Sequence, residues 1–149
     1  MPKASVKRLI ECNKEQLINL VLDIERYPSF IPYCLNSKIY EKKEKEDLIS
    51  IIADLTIGKG PFKATYKSDV KYYKSTDTIY VTNIEGPLKH LHNKWTFLKK
   101  NNCTEISFDI DFEIENKFLN VVMSKSFQYG LDKIADSFQK RANDLFKSK

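Results

Sequence analysis

Thr104-Glu105-Ile106-Ser107-Phe108-Asp109-Ile110-Asp111-Phe112-Glu113-Ile114-Glu115 alternates apolar and polar side chains without a slip. Successive strand residues point to opposite faces, so this period of two predicts a strand over 104–115 with one dry face and one wet face. The same period recurs over 47–57, with Ile49, Ile51, Ala53, Leu55 and Ile57 on one face, and over 62–70, with Phe62, Ala64, Tyr66 and Val70. Weaker versions fall at 5–11, 37–43, 77–85 and 88–99. Short turns carrying Gly58, Gly60, Pro61, Gly86, Pro87 and the pair Asn101 and Asn102 separate these segments. Seven strands joined by short connections predict one antiparallel sheet.

The spacing turns helical twice. After Asn13, the residues Leu17, Ile18, Leu20, Val21 and Ile24 recur at three and four, and Asn13 with Gln16 has the spacing of a capping box. Pro28 is expected to break this helix and begin a second short turn through Phe30 and Ile31 towards Pro32. Over 117–147 the residues Leu119, Met123, Phe127, Leu131, Ile134, Phe138, Ala142 and Leu145 draw one apolar stripe, which predicts a long amphipathic helix eased at Gly130. A sheet with one wet face must cover the other, and only this last helix is long enough to do so. The expected class is therefore α+β, a curved seven-stranded antiparallel sheet wrapped around a C-terminal helix, with two short helices after the first strand.

With 149 residues the chain fits one domain over 1–149, able to bury about 70% of the surface its unfolded form exposes. No segment approaches the roughly 18 consecutive apolar residues of a membrane span, and the N-terminus lacks a secretory apolar run. Cys12, Cys34 and Cys103 are far apart and form no metal or redox spacing, so they read as reduced thiols in a cytosol-like compartment. The net charge of +5 comes mostly from lysine, with Arg8, Arg26 and Arg141 the only arginines. That balance favours anionic surfaces, of lipid or of nucleic acid, without choosing between them.

A curved sheet does not touch a straight helix along its whole length, which leaves room for an apolar gap. The residues expected to line it are Phe62, Tyr66, Trp95, Phe97, Phe108, Phe112, Met123, Phe127 and Phe138. Such a lining selects by shape and apolar area, so its natural occupant is hydrocarbon, although the same side chains could simply pack together. Few polar groups are expected on this face. Tyr27, Phe30, Ile31 and Tyr33, held by two prolines, form an apolar segment that reads either as a membrane-contacting lid or as a cap on one end of the core. A lipid head group is expected near Tyr27 or Tyr33.

Other constellations point away from catalysis. His90 and His92 share one strand face, but no third metal ligand is identifiable, and neither histidine has a nameable carboxylate partner for acid catalysis. Asp109, Asp111, Glu113 and Glu115 alternate opposite the apolar face and read as a solvated surface. No nucleophile elbow, phosphate-binding loop or Cys/His pairing is present. No catalytic residue and no metal ligand is assigned.

Three groups of segments carry a resemblance. Tyr27-Pro28-Ser29-Phe30-Ile31-Pro32-Tyr33-Cys34 is the first. Asp54-Leu55-Thr56-Ile57-Gly58 with Ser68-Asp69-Val70 is the second, and Glu85-Gly86-Pro87-Leu88-Lys89-His90-Leu91 with Trp95-Thr96-Phe97 is the third. Together they resemble signature segments of the coenzyme Q-binding START-domain family, whose members are also described as polyketide cyclase-like proteins or ribosome-association toxins. The chain departs from that pattern at Leu88, where an aromatic is common, at Tyr33, where tryptophan is common, and in the Gly58-Lys59-Gly60-Pro61 turn. The resemblance implies a helix-grip (START/Bet v 1-like) fold and bound ubiquinone or another prenyl lipid. It implies no reaction and no required cofactor. The function expected from it is a quinone carrier that supports respiratory electron transfer, cytoplasmic and peripherally attached to the anionic inner face of a membrane, with no DNA partner. A ribosome-binding protein that blocks subunit association is the alternative, and a polyketide cyclase or aromatase a third.

Overall fold

The computed structural model describes residues 3–31, 34–59, 62–86, 88–115, 117 and 127–146. The strands are β1 (Lys3–Ile10), β2 (Cys34–Glu44), β3 (Leu48–Lys59), β4 (Phe62–Tyr73), β5 (Thr78–Glu85), β6 (Leu88–Lys100) and β7 (Cys103–Ile114). They form one sheet in the order β1-β7-β6-β5-β4-β3-β2 with every neighbouring pair antiparallel. The predicted seven-stranded antiparallel sheet is the observed one. Its tightest turns follow local chemistry: Asn101 takes a positive φ of 54° in the two-residue link between Lys100 and Cys103, a conformation Asn tolerates better than most residues.

Helix α1 (Lys14–Leu22) opens with the predicted capping box: the Gln16 N–H donates to Asn13 Oδ1 at 2.8 Å and the Asn13 N–H to Gln16 Oε1 at 3.2 Å. The proline reading needs correction. The helix already ends at Leu22, and a 3-10 turn over Ile24–Ser29 follows with Pro28 inside it. A short 3-10 segment leaves several N–H groups unbonded, so a residue without one is accommodated there. Helix α2 (Phe127–Phe146) is continuous through Gly130, and Lys117 is also helical; the stretch 118–126 lies outside the described residues.

Leu131, Ala135, Phe138 and Ala142 on α2 are buried against Val6 and Ile10 of β1, Trp95 and Phe97 of β6, Ile106 and Phe108 of β7, and Leu17, Ile18 and Val21 of α1. Arg8 also points to this side and donates to Asp136 Oδ1 at 3.0 Å, tying β1 to α2. Lys14 reaches Asp77 at 2.7 Å and so ties α1 to the β4–β5 turn. Strand β2 is irregular, with register shifts between Cys34 and Asn36 and between Ile39 and Glu41. Its edge meets the 3-10 turn, where the Ile39 N–H donates to Glu25 Oε2 at 2.9 Å and Ser37 Oγ to the Ile24 carbonyl at 2.7 Å.

Candidate functional site

The concave face of the sheet has two parts. Towards the C-terminal end of α2 it is closed. Trp95 and Phe108 stack at 4.1 Å with 10° between their planes, and Phe138 meets Trp95 edge-on at 5.1 Å. The space left among Val6, Ile10, Trp95, Ile106, Phe108 and Phe138 is about 10 Å³, room for one water molecule at most. At the other end, Leu91 gathers a separate small cluster with Tyr66, Val81 and Ile110. Leu55, Ile57, Ala64, Tyr66, Val81 and Ile110 are all only half-buried there. That incompletely covered apolar surface is the candidate site.

Gly86 fixes one side of it. Its φ of +133° is a conformation that L side chains rarely adopt, and a Cβ there would lie 2.7 Å from the Tyr66 Cβ and 2.8 Å from the Tyr66 Cα. The β5–β6 turn therefore rests directly on the β4 backbone at Tyr66, which only glycine allows. Burial pushes the Tyr66 hydroxyl up to about 12 and the Cys34 thiol up to about 11, and it raises Tyr27 further still, with Tyr66 as the next contributor. Tyr27, Cys34 and Tyr66 thus sit as neutral neighbours where the closed part meets the half-buried part.

Of the residues expected to line a gap, Trp95, Phe97, Phe108 and Phe138 are buried together in the closed part, and Tyr66 stands in the half-buried part. Met123 and the side chains of Phe62, Phe112 and Phe127 lie outside the described residues, as does Tyr33. Tyr27 and Phe30 meet Phe138 edge-on at 5.7 and 5.3 Å, the Arg141 guanidinium lies 5.3 Å over the Phe30 ring, and Ile31 packs against the same core. The Tyr27 hydroxyl donates to the Val21 carbonyl.

The sequence reading missed the polar groups on this face. Alternation in β6 sets Asn93 between Leu91 and Trp95, and pairing sets it between Val81 and Ile110. The signal was available in the period of two itself. Ser68, fully buried, donates to the Ala53 carbonyl at 3.3 Å, and Asn83 Oδ1 accepts from the Leu91 N–H at 2.9 Å. Asn83 thereby extends the β5–β6 ladder beyond its last register pair, Thr82 with His92.

The opposite face is charged. His90 Nε2 lies 3.0 Å from Asp111 Oδ1, with Glu113 at 3.9 Å from Nδ1 and the His92 ring 5.8 Å away. The hydrogen bond to His90 holds the Asp111 carboxyl below its usual range. Among the described residues no group of three or more His, Cys, Asp or Glu is placed to hold a metal ion. An open groove of about 590 Å³ crosses β1, β7, β6 and β5; its lining includes Ala4, Val81, Asn93 and Ile110, which alternate towards the core, as well as Lys3, Lys94, Asp109 and Asp111, which alternate away from it.

Not all aromatics are interior. Tyr40 is 52% exposed with the Lys38 and Lys67 ammonium groups 5.0 and 4.9 Å from its ring centre. Tyr80 is 44% exposed with Lys94 at 5.7 Å.

With this geometry in place, the comparisons give the class. Residues 10–139 match the family described as polyketide cyclase/dehydrase and lipid transport, and the chain belongs to that family. It is 27% identical over 143 residues to the ribosome association toxin RatA of Rickettsia prowazekii, covering 94% of this chain and 95% of that protein. It is 32% identical over 136 residues to the mitochondrial coenzyme Q-binding protein COQ10 of Dictyostelium discoideum, covering 89% of this chain and 65% of that protein. A START superfamily protein from Mycobacterium smegmatis superposes with a TM-score of 0.79 at 16% identity, covering 96% and 98% of the two chains. This last likeness speaks to the fold alone, a START-like helix-grip. Among the described residues, no helix is long and apolar enough to cross a membrane.

Proposed function

We propose that this protein is a non-enzymatic carrier that holds the prenyl tail of ubiquinone, or of a closely similar lipid, against the half-buried part of its concave face. The observation that carries this reading is the set of half-buried apolar side chains, Leu55, Tyr66, Val81 and Ile110, around the buried Leu91 and beside the close-packed rings of Trp95, Phe108 and Phe138. The resemblance to the coenzyme Q-binding relative supports a quinone as the occupant. Burying one methylene group is worth about 0.8 kcal/mol. Two or three isoprene units therefore supply on the order of 8–12 kcal/mol gross, against the roughly 8 kcal/mol of micromolar affinity. Costs of association reduce that figure. The lipid is bound as a ligand and no cofactor is required. The lysine-rich surface favours exchange at an anionic membrane. Extraction of protein purified from a quinone-producing host, followed by mass spectrometry, tests the reading: a stoichiometric prenylated quinone supports it. Recovery of no lipid, combined with failure to take up added quinone, rejects it.

A second reading rests on a different face. Exposed Tyr40 between Lys38 and Lys67, and exposed Tyr80 beside Lys94, combine flat rings with positive charge, as single-stranded RNA contacts do. With the resemblance to the ribosome-association toxin, this supports a ribosome-directed role on the outer face. Co-sedimentation with ribosomal subunits that falls in a Tyr40→Ala, Lys67→Glu double variant supports it, and co-sedimentation indifferent to both changes opposes it.

A further inference from the structure

We infer that Asn93 reads an oxygen-bearing head group, so that the site selects a lipid carrying a ring carbonyl or hydroxyl over a plain hydrocarbon. The inference rests on the lipid-binding reading above and specifies it. Most polar side chains that the strands turn towards the core are tied down within the protein: Ser68 to the Ala53 carbonyl, Thr104 to the Cys12 carbonyl, Arg8 to Asp136, and Asn83 to the Leu91 N–H. Asn93 differs. Its carboxamide oxygen is buried and accepts no hydrogen bond.

A buried amide oxygen without a partner is unfavourable, and an apolar side chain of similar size would serve the packing better. The neighbours of Asn93 on the concave face are Leu91 and Trp95 along β6 and Val81 and Ile110 across it. Among these, Val81 and Ile110 are half-buried and, with Tyr66, surround the buried Leu91. The unpaired group therefore stands at the inner limit of the candidate site, where a molecule seated on that cluster reaches it. A carboxamide offers an acceptor oxygen and two N–H donors. A hydroxyl can donate to the oxygen, and a half-turn of the amide presents its N–H₂ to a carbonyl. A tail without oxygen leaves the amide unpaired, so the site discriminates against it.

The test measures displacement of a fluorescent apolar probe from the full chain by a short-tailed ubiquinone, by the corresponding ubiquinol, and by a hydrocarbon matched to the tail. The two ring ligands separate the carbonyl arm from the hydroxyl arm. For the unaltered protein, at least one of them is expected to bind about tenfold more tightly than the hydrocarbon. Asn93→Leu is expected to abolish that preference while keeping hydrocarbon affinity and holding or raising Tm. Asn93→Ala serves the same comparison if the leucine variant is not recovered folded. Equal binding of all three ligands by the unaltered protein overturns the inference while leaving the carrier reading intact, and so does an unchanged preference in both variants. A fall in Tm with the preference retained assigns Asn93 a purely structural part. Failure of every ligand to bind removes the carrier reading and this inference together.

Discussion

The two parts of the concave face share strands and alternation and differ in what lies against them. Around Trp95, Phe108 and Phe138 the rings of β6, β7 and α2 fill one another's space and leave about 10 Å³. Around the buried Leu91, the side chains of Tyr66, Val81 and Ile110 stay half-buried, Val81 and Ile110 at the border of the main core. An apolar strand face is thus core or candidate site according to its cover, and the period of two does not encode that cover. Substitutions at the closed part are accordingly expected to alter stability, and those at the half-buried part to alter the proposed lipid uptake.

The largest effect belongs to the closed part. Phe138→Ala removes a ring that contacts Tyr27, Phe30 and Trp95 and should destabilise the fold by about 3–5 kcal/mol, read from denaturant midpoints. A loss below about 1 kcal/mol, the range of a well-tolerated swap, would mean that this end is not closed. Gly86→Ala comes next. The clash with the Tyr66 backbone and the positive φ should cost about 1–3 kcal/mol and weaken lipid uptake through displacement of Tyr66; normal uptake at reduced Tm would detach Tyr66 from the site. Val81→Phe fills the half-buried part. It is expected to shift stability by no more than about 1 kcal/mol, being a change beside incompletely packed space, while quinone uptake drops at least several-fold in a vesicle-transfer measurement. Unchanged uptake would move the site elsewhere.

The smallest effect lies on the charged face. Asp111 is held below its ordinary value of 3.8 by the hydrogen bond to His90. Its contribution is therefore present above that ordinary value and is lost as pH falls through the lowered one. The pair is partly exposed, so Asp111→Asn should remove only about 0.5 kcal/mol near neutral pH and nothing below the lowered value. A pH-independent difference between the two proteins would assign the effect to packing instead.

Much of the fold was legible. The unbroken alternation of β7, the Asn13 and Gln16 capping box and the Asn101 turn each have a local physical cause that the sequence states directly. Strand β2 begins at Cys34, ahead of the expected 37–43, because the register shift at Leu35 interrupts the period there. Pro28 was read as a helix breaker because composition does not tell a 3-10 turn from a helix end. Within the site, the inward direction of Asn93 follows from the period of two that sets it between Leu91 and Trp95, whereas its lack of a hydrogen-bond partner depends on the strands beside it. The ring of Tyr40 stands outside, at a register shift of the edge strand β2.

The shape of β2 also bears on how the protein behaves at high concentration. An open sheet offers its edges as templates for another strand, and half-buried apolar side chains on one face add to the tendency to assemble. Here the shifts in β2 break the regular spacing that a docking strand needs. The Glu25 carboxylate occupies the Ile39 N–H that such a strand would use, and Lys38, Lys42 and Lys43 place charge along the same border. One acidic side chain and two misplaced residues thus act as a solubility device, and they do so without covering the concave face.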